Sequence, residues 1–450
     1  MYFSVVVLLC VVKLINSQIL WFQPEQIHLA YGKSVYDITV TWSTLNDTKA
    51  SVVEYGIGGM ILKEFGTCKF FDDGGYKGYG QYIHSVKLTG LTPNSIYVYH
   101  CGSSLGWSPQ FWFKSSPDHK NWQPQFAIYG DMGNENAQSL ARLQEETQRG
   151  FYDAILHVGD FAYDMDSEYG QVGDEFMKQI ESIAGYVPYM TCPGNHEERY
   201  NFSNYLERFN MPEGNTSFMY SFDIGPLHII SISTEVYYFP YYGIKSIVFQ
   251  YEWLENDLIK ANLPENREKH PWIIVMGHRP MYCSSTDKDD CTHHETITRV
   301  GIPFLHIFGL EKLLYDYGVD VEIWAHEHIY QRLWPIYNYK VYNGSYENPY
   351  VNPGAPVHII TGSAGCKEGH DEFNMTRPEW SAFQSKDYGY TRLKAYNNTH
   401  LYFEQVSDDK GGMVIDSLWI IKNSHKPYRY SNMDWAAFDS VRLKNMNNFT

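Results

Sequence analysis

The stretch HVGDFAYD, His157 to Asp164, decides the fold that we predict for this chain. An apolar run, AILHV, stops at Gly159, which predicts a buried strand that delivers Asp160 into a crevice at the edge of an α/β sheet. One carboxylate there can bridge two metal ions. Because a phenol has a pKa of about 10, only a strongly acidic cation such as Fe(III) would hold Tyr163 as phenolate. Taken alone, the segment also fits a turn or helix cap at Asp160 and simple packing of Tyr163.

The composition is that of a large folded protein. The chain has 450 residues, of which 44% are hydrophobic and 16% aromatic, enough for a large core and two or more domains. Residues 1–17 hold an apolar run, Val5 to Val12, that is too short to cross a membrane and is typical of a secretory signal peptide, with a buried first strand as the alternative. Residues 423–450 form a polar tail. We therefore expect a secreted or lysosomal protein without a membrane anchor.

Cysteine usage agrees with export. Cys10 would leave with the signal peptide, and the six cysteines that remain suit an oxidising compartment. The sequence does not fix their connectivity; the preferred pairs are Cys283–Cys291, Cys68–Cys101 and Cys192–Cys366. Seven Asn-x-Ser/Thr sequons predict glycosylation at some of these positions: Asn46, Asn201, Asn215, Asn343, Asn374, Asn397 and Asn448.

The charge balance excludes one class of partner. The net charge is −17, with 35 basic against 52 acidic residues, whereas nucleic acid demands a basic surface. An anionic small-molecule substrate would need a local positive centre, which bound metal ions would supply.

The chain divides by pattern into two predicted domains. Residues 18–117 contain short alternating segments such as DITVTWST and SIYVYHCG, which predict an antiparallel β-sandwich. The polar segment from Ser115 to Gln125 carries two prolines and is the expected linker. In residues 122–422 apolar runs alternate with helical segments, among them AQSLARLQEETQRG, VGDEFMKQIESIAG and VFQYEWLENDLIKA, which predicts an α/β (α+β) domain.

Five of these apolar runs end in residues that can bind metal. They deliver Asp131, Asp160, Asn195, His278 and the pair His326 and His328. Carboxylate, amide oxygen and imidazole are the ligands of a hard-to-borderline dinuclear site. Each motif alone is weak, because a DMG turn is commonplace and a single histidine after a strand often packs in the core. Together they predict a metal site.

In order, the motifs GDMG, GDFAY, GNHE, VMGH and AHEH resemble the five metallophosphoesterase blocks of the purple acid phosphatases. Tyr163 is the residue that distinguishes this family from other dinuclear phosphoesterases. The LTPNSIYVY segment resembles a fibronectin type III corner, and the total length resembles the larger, plant-like animal and fungal forms. The resemblance implies a fibronectin III-like sandwich followed by an α/β/β/α metallophosphoesterase sandwich. Ala325 departs from the family, which more widely has Gly there.

The resemblance also implies a role for each ligand. Fe(III) would be held by Asp131, Asp160, Tyr163 and His328, and a divalent Fe, Zn or Mn ion by Asp160 as bridge, Asn195, His278 and His326. It implies an acid phosphatase for phosphate monoesters, in which a metal-bound hydroxide attacks phosphorus in line with the departing alkoxide. Two ions, three anionic ligands and a hydroxide sum to about +1, which would attract phosphate into an acidic protein.

Histidines near these ligands are candidates for contacts with substrate. His196 follows Asn195 and is the leading proton donor to the leaving group, with a role in orienting ligands as the alternative. His293 and His294 lie where similar enzymes place substrate-contacting histidines, although a solvated loop between two cysteines explains them nearly as well. We interpret His228 and His358 as core residues, and His370 as part of a Gly-rich turn, with a position bordering the site as the alternative. The run Tyr237 to Gly243 fits a pocket wall or a surface loop.

Two other functions compete with the monoesterase. The same metal site would serve a phosphodiesterase or nucleotide hydrolase, because nothing in the sequence fixes the pocket beyond the ligands. A secreted binding module with an inactive catalytic domain is the alternative from a different class, and the complete ligand set argues against it. The oligomeric state, monomer or homodimer, is left open.

Overall fold

The computed structural model describes residues 20–72, 80–212, 217–286, 288 and 290–428. The predicted signal peptide, most of the polar tail and the sequons at Asn215 and Asn448 lie outside these residues. Within them, no helix is both long and apolar enough to cross a membrane.

The N-terminal part is built from two antiparallel sheets. One has the order β1-β2-β6-β5 and the other β4-β3-β7-β8, with β9 also paired to β7. Alternate side chains such as Val40 and Trp42 are buried between them. This confirms the predicted sandwich, and the Tyr97 hydroxyl accepts a hydrogen bond from Thr92 N at 2.8 Å in the segment likened to a fibronectin corner. The strands are β1 (Glu25–Tyr31), β2 (Ile38–Thr44), β3 (Val52–Gly56), β4 (Leu62–Phe65), β5 (Thr67–Asp72), β6 (Gly80–Leu88), β7 (Ile96–Ser103), β8 (Gly106–Trp107) and β9 (Phe111–Lys114).

The remainder contains two larger sheets with helices between their strands. The strands are β10 (Gln125–Tyr129), β11 (Ala154–Val158), β12 (Tyr189–Cys192), β13 (Tyr220–Ile224), β14 (Leu227–Ser231), β15 (Trp272–Met276), β16 (Gly301–Ile302), β17 (Ile307–Phe308), β18 (Val321–Trp324), β19 (Tyr330–Leu333), β20 (Ile336–Tyr337), β21 (Lys340–Val341), β22 (Val357–Thr361), β23 (Ser381–Ser385), β24 (Gly389–Asn397), β25 (His400–Ser407) and β26 (Met413–Ile421). The helices are α1 (Leu140–Gln148), α2 (Gln171–Ala184), α3 (Arg199–Arg208), α4 (Lys245–Ala261), α5 (Pro264–Lys269), α6 (Ile297–Val300) and α7 (Leu310–Asp316).

Strand order explains why the predicted ligands can meet. The first large sheet has the order β12-β11-β10-β24-β25-β26, and the second β13-β14-β15-β18-β22-β19-β23. Neighbours β10, β11 and β12 run parallel, as do β14, β15, β18 and β22. The carboxyl ends of parallel strands lie at one edge of a sheet, where α/β proteins place their ligands.

Alternating side chains hold the layers together. On β15, Ile274 and Met276 belong to the core that includes the first large sheet. Ile273 and Val275 point the other way and join a second core with Leu254 of α4. On the opposite side of the molecule, Phe176 of α2 packs with its ring centre 6.0 Å from that of His157 on β11. The α/β/β/α layering predicted for this part is therefore confirmed.

One predicted disulfide is correct and two are wrong. Cys283 is bonded to Cys291, whereas Cys68, Cys101, Cys192 and Cys366 are free. Cys68 is exposed on β5, but Cys101 is buried on β7 in the other sheet of the sandwich. Cys192 is buried at the end of β12, while Cys366 lies with its Sγ 3.5 Å from His328 Nδ1. An even number of cysteines does not show which of them lie close together in the fold.

Candidate active site

The predicted ligands follow directly after the strands of the two large sheets. Asp131 and Asp160 come two residues after β10 and β11, and His278 two residues after β15. Asn195 begins a short 3₁₀ helix after β12. His326 and His328 lie in the tight segment between β18 and β19. Together with Tyr163, which lies five residues after β11, these six side chains form two groups.

The first group joins Asp131, Tyr163 and His328. The Tyr163 hydroxyl lies 2.7 Å from His328 Nε2 and 3.2 Å from Asp131 Oδ1, and His328 Nε2 is 3.7 Å from the same carboxylate oxygen. Asp131 and Tyr163 are almost fully buried. A carboxylate, a phenol and an imidazole thus converge on one small volume.

The second group is centred on His278. Its Nε2 atom lies 3.1 Å from Asn195 Oδ1, 3.1 Å from Asp160 Oδ2 and 3.2 Å from His326 Nδ1. Asp160, His278 and His326 each place a donor atom within 4.8 Å of the others. Asp131 Oδ2 accepts a hydrogen bond from the backbone N–H of His326 at 2.9 Å, so the two groups are adjacent.

Proton positions make these clusters suited to cations. His278 Nδ1 faces the Val158 carbonyl at 2.9 Å, and His328 Nδ1 faces the Gly369 carbonyl at 3.1 Å. A carbonyl only accepts hydrogen bonds, so each Nδ1 carries a proton and each ring turns its Nε2 atom towards the other ligands. Oxygen atoms and Nε2 atoms therefore converge, and these are the donor atoms that a bound metal ion uses. The residues present fit a dinuclear centre.

Backbone strain is concentrated among the same residues. Asp131, Asp160, Tyr163 and His326 all have left-handed φ angles, of 57°, 52°, 58° and 69°. Such conformations cost non-glycine residues about 1–3 kcal/mol each and persist where the surroundings impose them, commonly at functional sites. The packing around Asp160 is tight, because a Cβ on Gly194 would lie 2.1 Å from Asp160 Oδ1.

The buried acids of the site are shifted in opposite directions. Burial, and next the charge of Asp160, raises the pKa of Asp131 well above its usual value. Burial also raises the pKa of Asp160, but His278 and His196 outweigh it and lower that pKa overall. Burial and Asp131 together raise the pKa of Tyr163. Ionising all three groups at once requires added positive charge.

His196 lies beside both groups. Its ring is 4.4 Å from that of Tyr163, its Nε2 is 3.9 Å from Asp160 Oδ2, and Asp164 Oδ1 holds its Nδ1 at 2.9 Å. Burial lowers the pKa of His196, but Asp160 and Asp164 raise it to a net value of about 10. A partly exposed imidazolium therefore faces the cluster.

The structure places His293 and His294 apart from these contacts. Both are exposed. The His294 ring stacks on Tyr339 at 4.5 Å, while the carbonyl of His293 lies 3.4 Å from the Tyr339 hydroxyl. Arg299 donates from Nε to the His294 carbonyl at 3.2 Å, which fixes the backbone of this loop. Their contact with substrate remains a prediction.

Sequence reasoning did not identify two sets of supporting residues. The buried carboxylate of Glu197 accepts hydrogen bonds from the backbone N–H groups of Asp160, Phe161 and Gly194 at 2.8–2.9 Å. Arg279 is held by Glu235 at 3.0 Å and Asp290 at 2.9 Å, and its Nη1 is 3.0 Å from His326 Nε2. The one available signal was adjacency, because Glu197 and Arg279 directly follow predicted site residues.

Three histidines that we did not predict as ligands, and Ala325, have different surroundings in the structure. His358 is buried, and burial lowers its pKa to about 3. His228 is also buried but is paired with Asp223 and Asp257. His370 does border the site, since its Nδ1 lies 3.3 Å from the carbonyl of His328. Ala325 is fully buried. A Cβ added at Gly130 would lie 2.4 Å from the Cβ of Ala325, so the Ala325 methyl group fills the space beside Gly130 that a side chain there would need.

Three protein-family profiles match successive parts of the chain. The profile described as Purple acid Phosphatase, N-terminal domain, matches residues 24–115. Calcineurin-like phosphoesterase matches residues 124–330, and Iron/zinc purple acid phosphatase-like protein C matches residues 355–417.

Known proteins resemble the chain over most of its length. Acid phosphatase type 7 of Danio rerio is 57% identical over 416 residues, which cover 90% of this chain and 93% of the relative. Acid phosphatase type 7 of Homo sapiens is 53% identical over 402 residues, covering 89% and 91%. The structure of purple acid phosphatase PPD1 from yellow lupin (Lupinus luteus) seeds matches with a TM-score of 0.75 at 28% identity, covering 89% of this chain and 74% of the lupin chain.

Proposed function

The chain belongs to the purple acid phosphatase family, and we propose that it is an acid phosphatase that releases phosphate from phosphate monoesters at a centre of two metal ions. The observation that carries the proposal is the convergence of ligand atoms around His278 Nε2 and the Tyr163 hydroxyl. The names of the type 7 relatives support the reaction.

We assign one ion to each group of ligands. Asp131, Tyr163 and His328 would hold Fe(III), and Asn195, His278 and His326 would hold a divalent Fe, Zn or Mn ion, with Asp160 shared. The description of the C-terminal family profile, iron/zinc, supports this choice of metals. When bound, the ions would polarise the phosphoryl oxygens and lower the pKa of a water molecule that serves as nucleophile.

His196 is the residue we assign to the leaving group. Asp164 accepts from its Nδ1 at 2.9 Å, which turns Nε2 towards the cluster. The carboxylates around it keep this imidazole protonated in acidic solution. It can therefore donate a proton to the departing alkoxide, the step that general acid catalysis requires. We place His293 and His294 on the substrate side of the same site.

Export is part of the proposal. It rests on the apolar run in residues 1–17 and on the Cys283–Cys291 disulfide, a bond typical of oxidising compartments. Four of the predicted glycosylation sites, Asn201, Asn343, Asn374 and Asn397, are exposed. An acidic extracellular or lysosomal setting agrees with His196 acting as an acid.

The test is phosphate release by the purified protein near pH 5 from an aryl phosphomonoester and from the matched diester. We expect turnover of the monoester, and a loss of about a hundredfold or more in kcat/KM for Asn195→Ala, because a carboxamide ligand is removed without disturbing a charged group. Preference for the diester would contradict the monoesterase assignment. Unchanged activity in Asn195→Ala would contradict the assigned site.

A further inference from the structure

The tyrosine-rich run, Tyr237 to Gly243, begins beside the ligands we assign to the divalent ion. Glu235 lies just before the run and accepts a hydrogen bond from Arg279 Nε at 3.0 Å. Arg279 directly follows His278, and its guanidinium carbon lies 4.4 Å from the ring centre of Tyr238. The start of the run is thus tied to the His278 side of the cluster.

The far end of the run is tied to the opposite side, next to His196. The hydroxyls of Tyr241 and Tyr242 both donate to Glu198 Oε2, at 3.0 and 2.8 Å. Glu198 is two residues beyond His196 in the same turn of chain. The run therefore extends from the His278 side of the cluster to the turn that carries His196, the residue that we assign to the leaving group.

The last tyrosines present aromatic surface to solvent. Tyr241 is 68% exposed. Its ring lies 4.5 Å from that of Tyr242 and 5.8 Å from that of Phe239, which it meets edge to face. Tyr242 is supported from behind by Phe202, at 6.1 Å between ring centres. Glu198 fixes both hydroxyls, so the rings are held in place before any substrate arrives.

We propose that Tyr241, supported by Tyr242, forms a leaving-group subsite that favours phosphomonoesters carrying a planar aromatic ring, with nucleoside monophosphates as the substrate class. The inference rests on the proposed phosphatase activity and on His196 facing the leaving group. A flat base stacks on a fixed aromatic ring with little loss of side-chain freedom, and such stacking tolerates any base. The run Tyr237 to Gly243 contains no Lys or Arg that could bind a substrate through its charge. Stacking on the aromatic rings would therefore supply the preference for substrates with a planar base.

The test compares adenosine 5′-monophosphate with ribose 5-phosphate in the full-length enzyme. Both substrates release a primary alcohol of the same sugar, so they differ in the base and not in the bond that breaks. We expect kcat/KM to be about tenfold higher for the nucleotide. Tyr241→Ala should remove that preference by lowering kcat/KM for the nucleotide while leaving ribose 5-phosphate within about twofold.

Two further variants separate stacking from general damage. Tyr241→Phe keeps the ring but not the bond to Glu198 and should retain most of the preference. Tyr346→Ala removes a tyrosine that is 94% exposed elsewhere on the surface and should change neither substrate. Equal losses on both substrates in Tyr241→Ala, or a wild-type enzyme without preference, would overturn the subsite. Failure of the wild-type enzyme to hydrolyse either substrate would instead contradict the proposed function.

Discussion

Tyr163 is the residue on which our proposal of a ferric site depends. Burial, followed by the charges of Asp131 and Asp160, raises the pKa of its phenol. A phenolate therefore forms there only beside a cation acidic enough to displace the proton, as Fe(III) is. The short contacts to His328 and Asp131 place the oxygen among the other ligands.

We predict that the wild-type protein has a visible absorption band from phenolate-to-iron charge transfer and that Tyr163→Phe abolishes this band. The matched control is Tyr129→Phe, because Tyr129 is equally buried but its hydroxyl contacts Tyr189 at 2.9 Å instead of a ligand. Visible absorption spectra of the purified wild type, Tyr163→Phe and Tyr129→Phe test whether Tyr163 binds the iron. A band that survives in Tyr163→Phe would show that another residue binds the iron.

Residues that support the ligands were harder to predict than the ligands themselves. Asp131, Asp160 and His278 could be identified because each ends an apolar run, a signal that is local in sequence. Glu197 is buried against the backbone N–H groups of Asp160 and Phe161, which come from a distant segment of the chain, and Asp290 reaches Arg279 only because a loop folds back. The wrong disulfides have the same origin, since Cys366 is placed against His328 by tertiary packing.

At the scale of secondary structure, local pattern was sufficient for most elements. Helix α1 lies within its predicted segment, whereas α2 and α4 begin one and three residues before theirs. Gly150 after α1 adopts the left-handed conformation that is common at a helix C-terminus. Strands β13 and β14, which are adjacent in sequence, pair as an antiparallel hairpin. What the pattern did not contain was the order of strands across the two large sheets, which depends on contacts distant in sequence.

A charged histidine, His228, links the hairpin of β13 and β14 to α4 through hydrogen bonds. His228 Nδ1 lies 2.7 Å from Asp223 on β13, and its Nε2 lies 2.8 Å from Asp257 on α4. Burial lowers the pKa of His228, but hydrogen bonds to these carboxylates raise it to about 9 from 6.5. Its contribution to stability is fully present below pH 6.5 and is lost as the pH rises through 9.

We predict that His228→Gln lowers the free energy of unfolding by at most about 3 kcal/mol near pH 5.5 and by less than about 1 kcal/mol above pH 9. Burial raises the pKa of Asp223, but His228 lowers it overall, so the difference should also shrink as the pH falls below about 4. Denaturant unfolding of the wild type and the variant, from below pH 4 to above pH 9, measures how this difference in the free energy of unfolding changes at both ends of the range. His119→Gln, at an exposed linker position, should show no such dependence. A difference that stays constant with pH would contradict the charged pairing.

At the scale of the whole molecule, a buried ionic network joins the sandwich to the catalytic part. Arg208 of α3 donates to Asp174 of α2 at 2.6 Å and to Gln26 of β1 at 3.1 Å. Gln26 and Gln81 of the sandwich also donate to Asp174, at 3.0 and 2.9 Å. Arg208 is only 1% exposed, so its loss would leave a buried carboxylate without its counter-charge.

We predict that Arg208→Met lowers the free energy of unfolding by about 3–5 kcal/mol, because breaking a buried pair strands the remaining charge. The matched control is Lys69→Met. Lys69 pairs with Glu207 across the same boundary but is 67% exposed, so its loss should cost less than about 1 kcal/mol. Equal costs for the two variants, measured by denaturant unfolding, would show that the buried network does not stabilise the joined domains.

The most direct test of a dinuclear centre is the number of metal ions bound per chain, measured by elemental analysis of the purified protein beside two variants. We expect two ions in the wild type, at least one of them iron. Asn195→Ala should keep the iron and lose the second ion, because the ferric ligands are intact, and Asp160→Ala should lose both, because that carboxylate is shared. A wild-type protein that hydrolyses the monoester with a single ion, or an Asp160→Ala variant that retains two, would contradict the site.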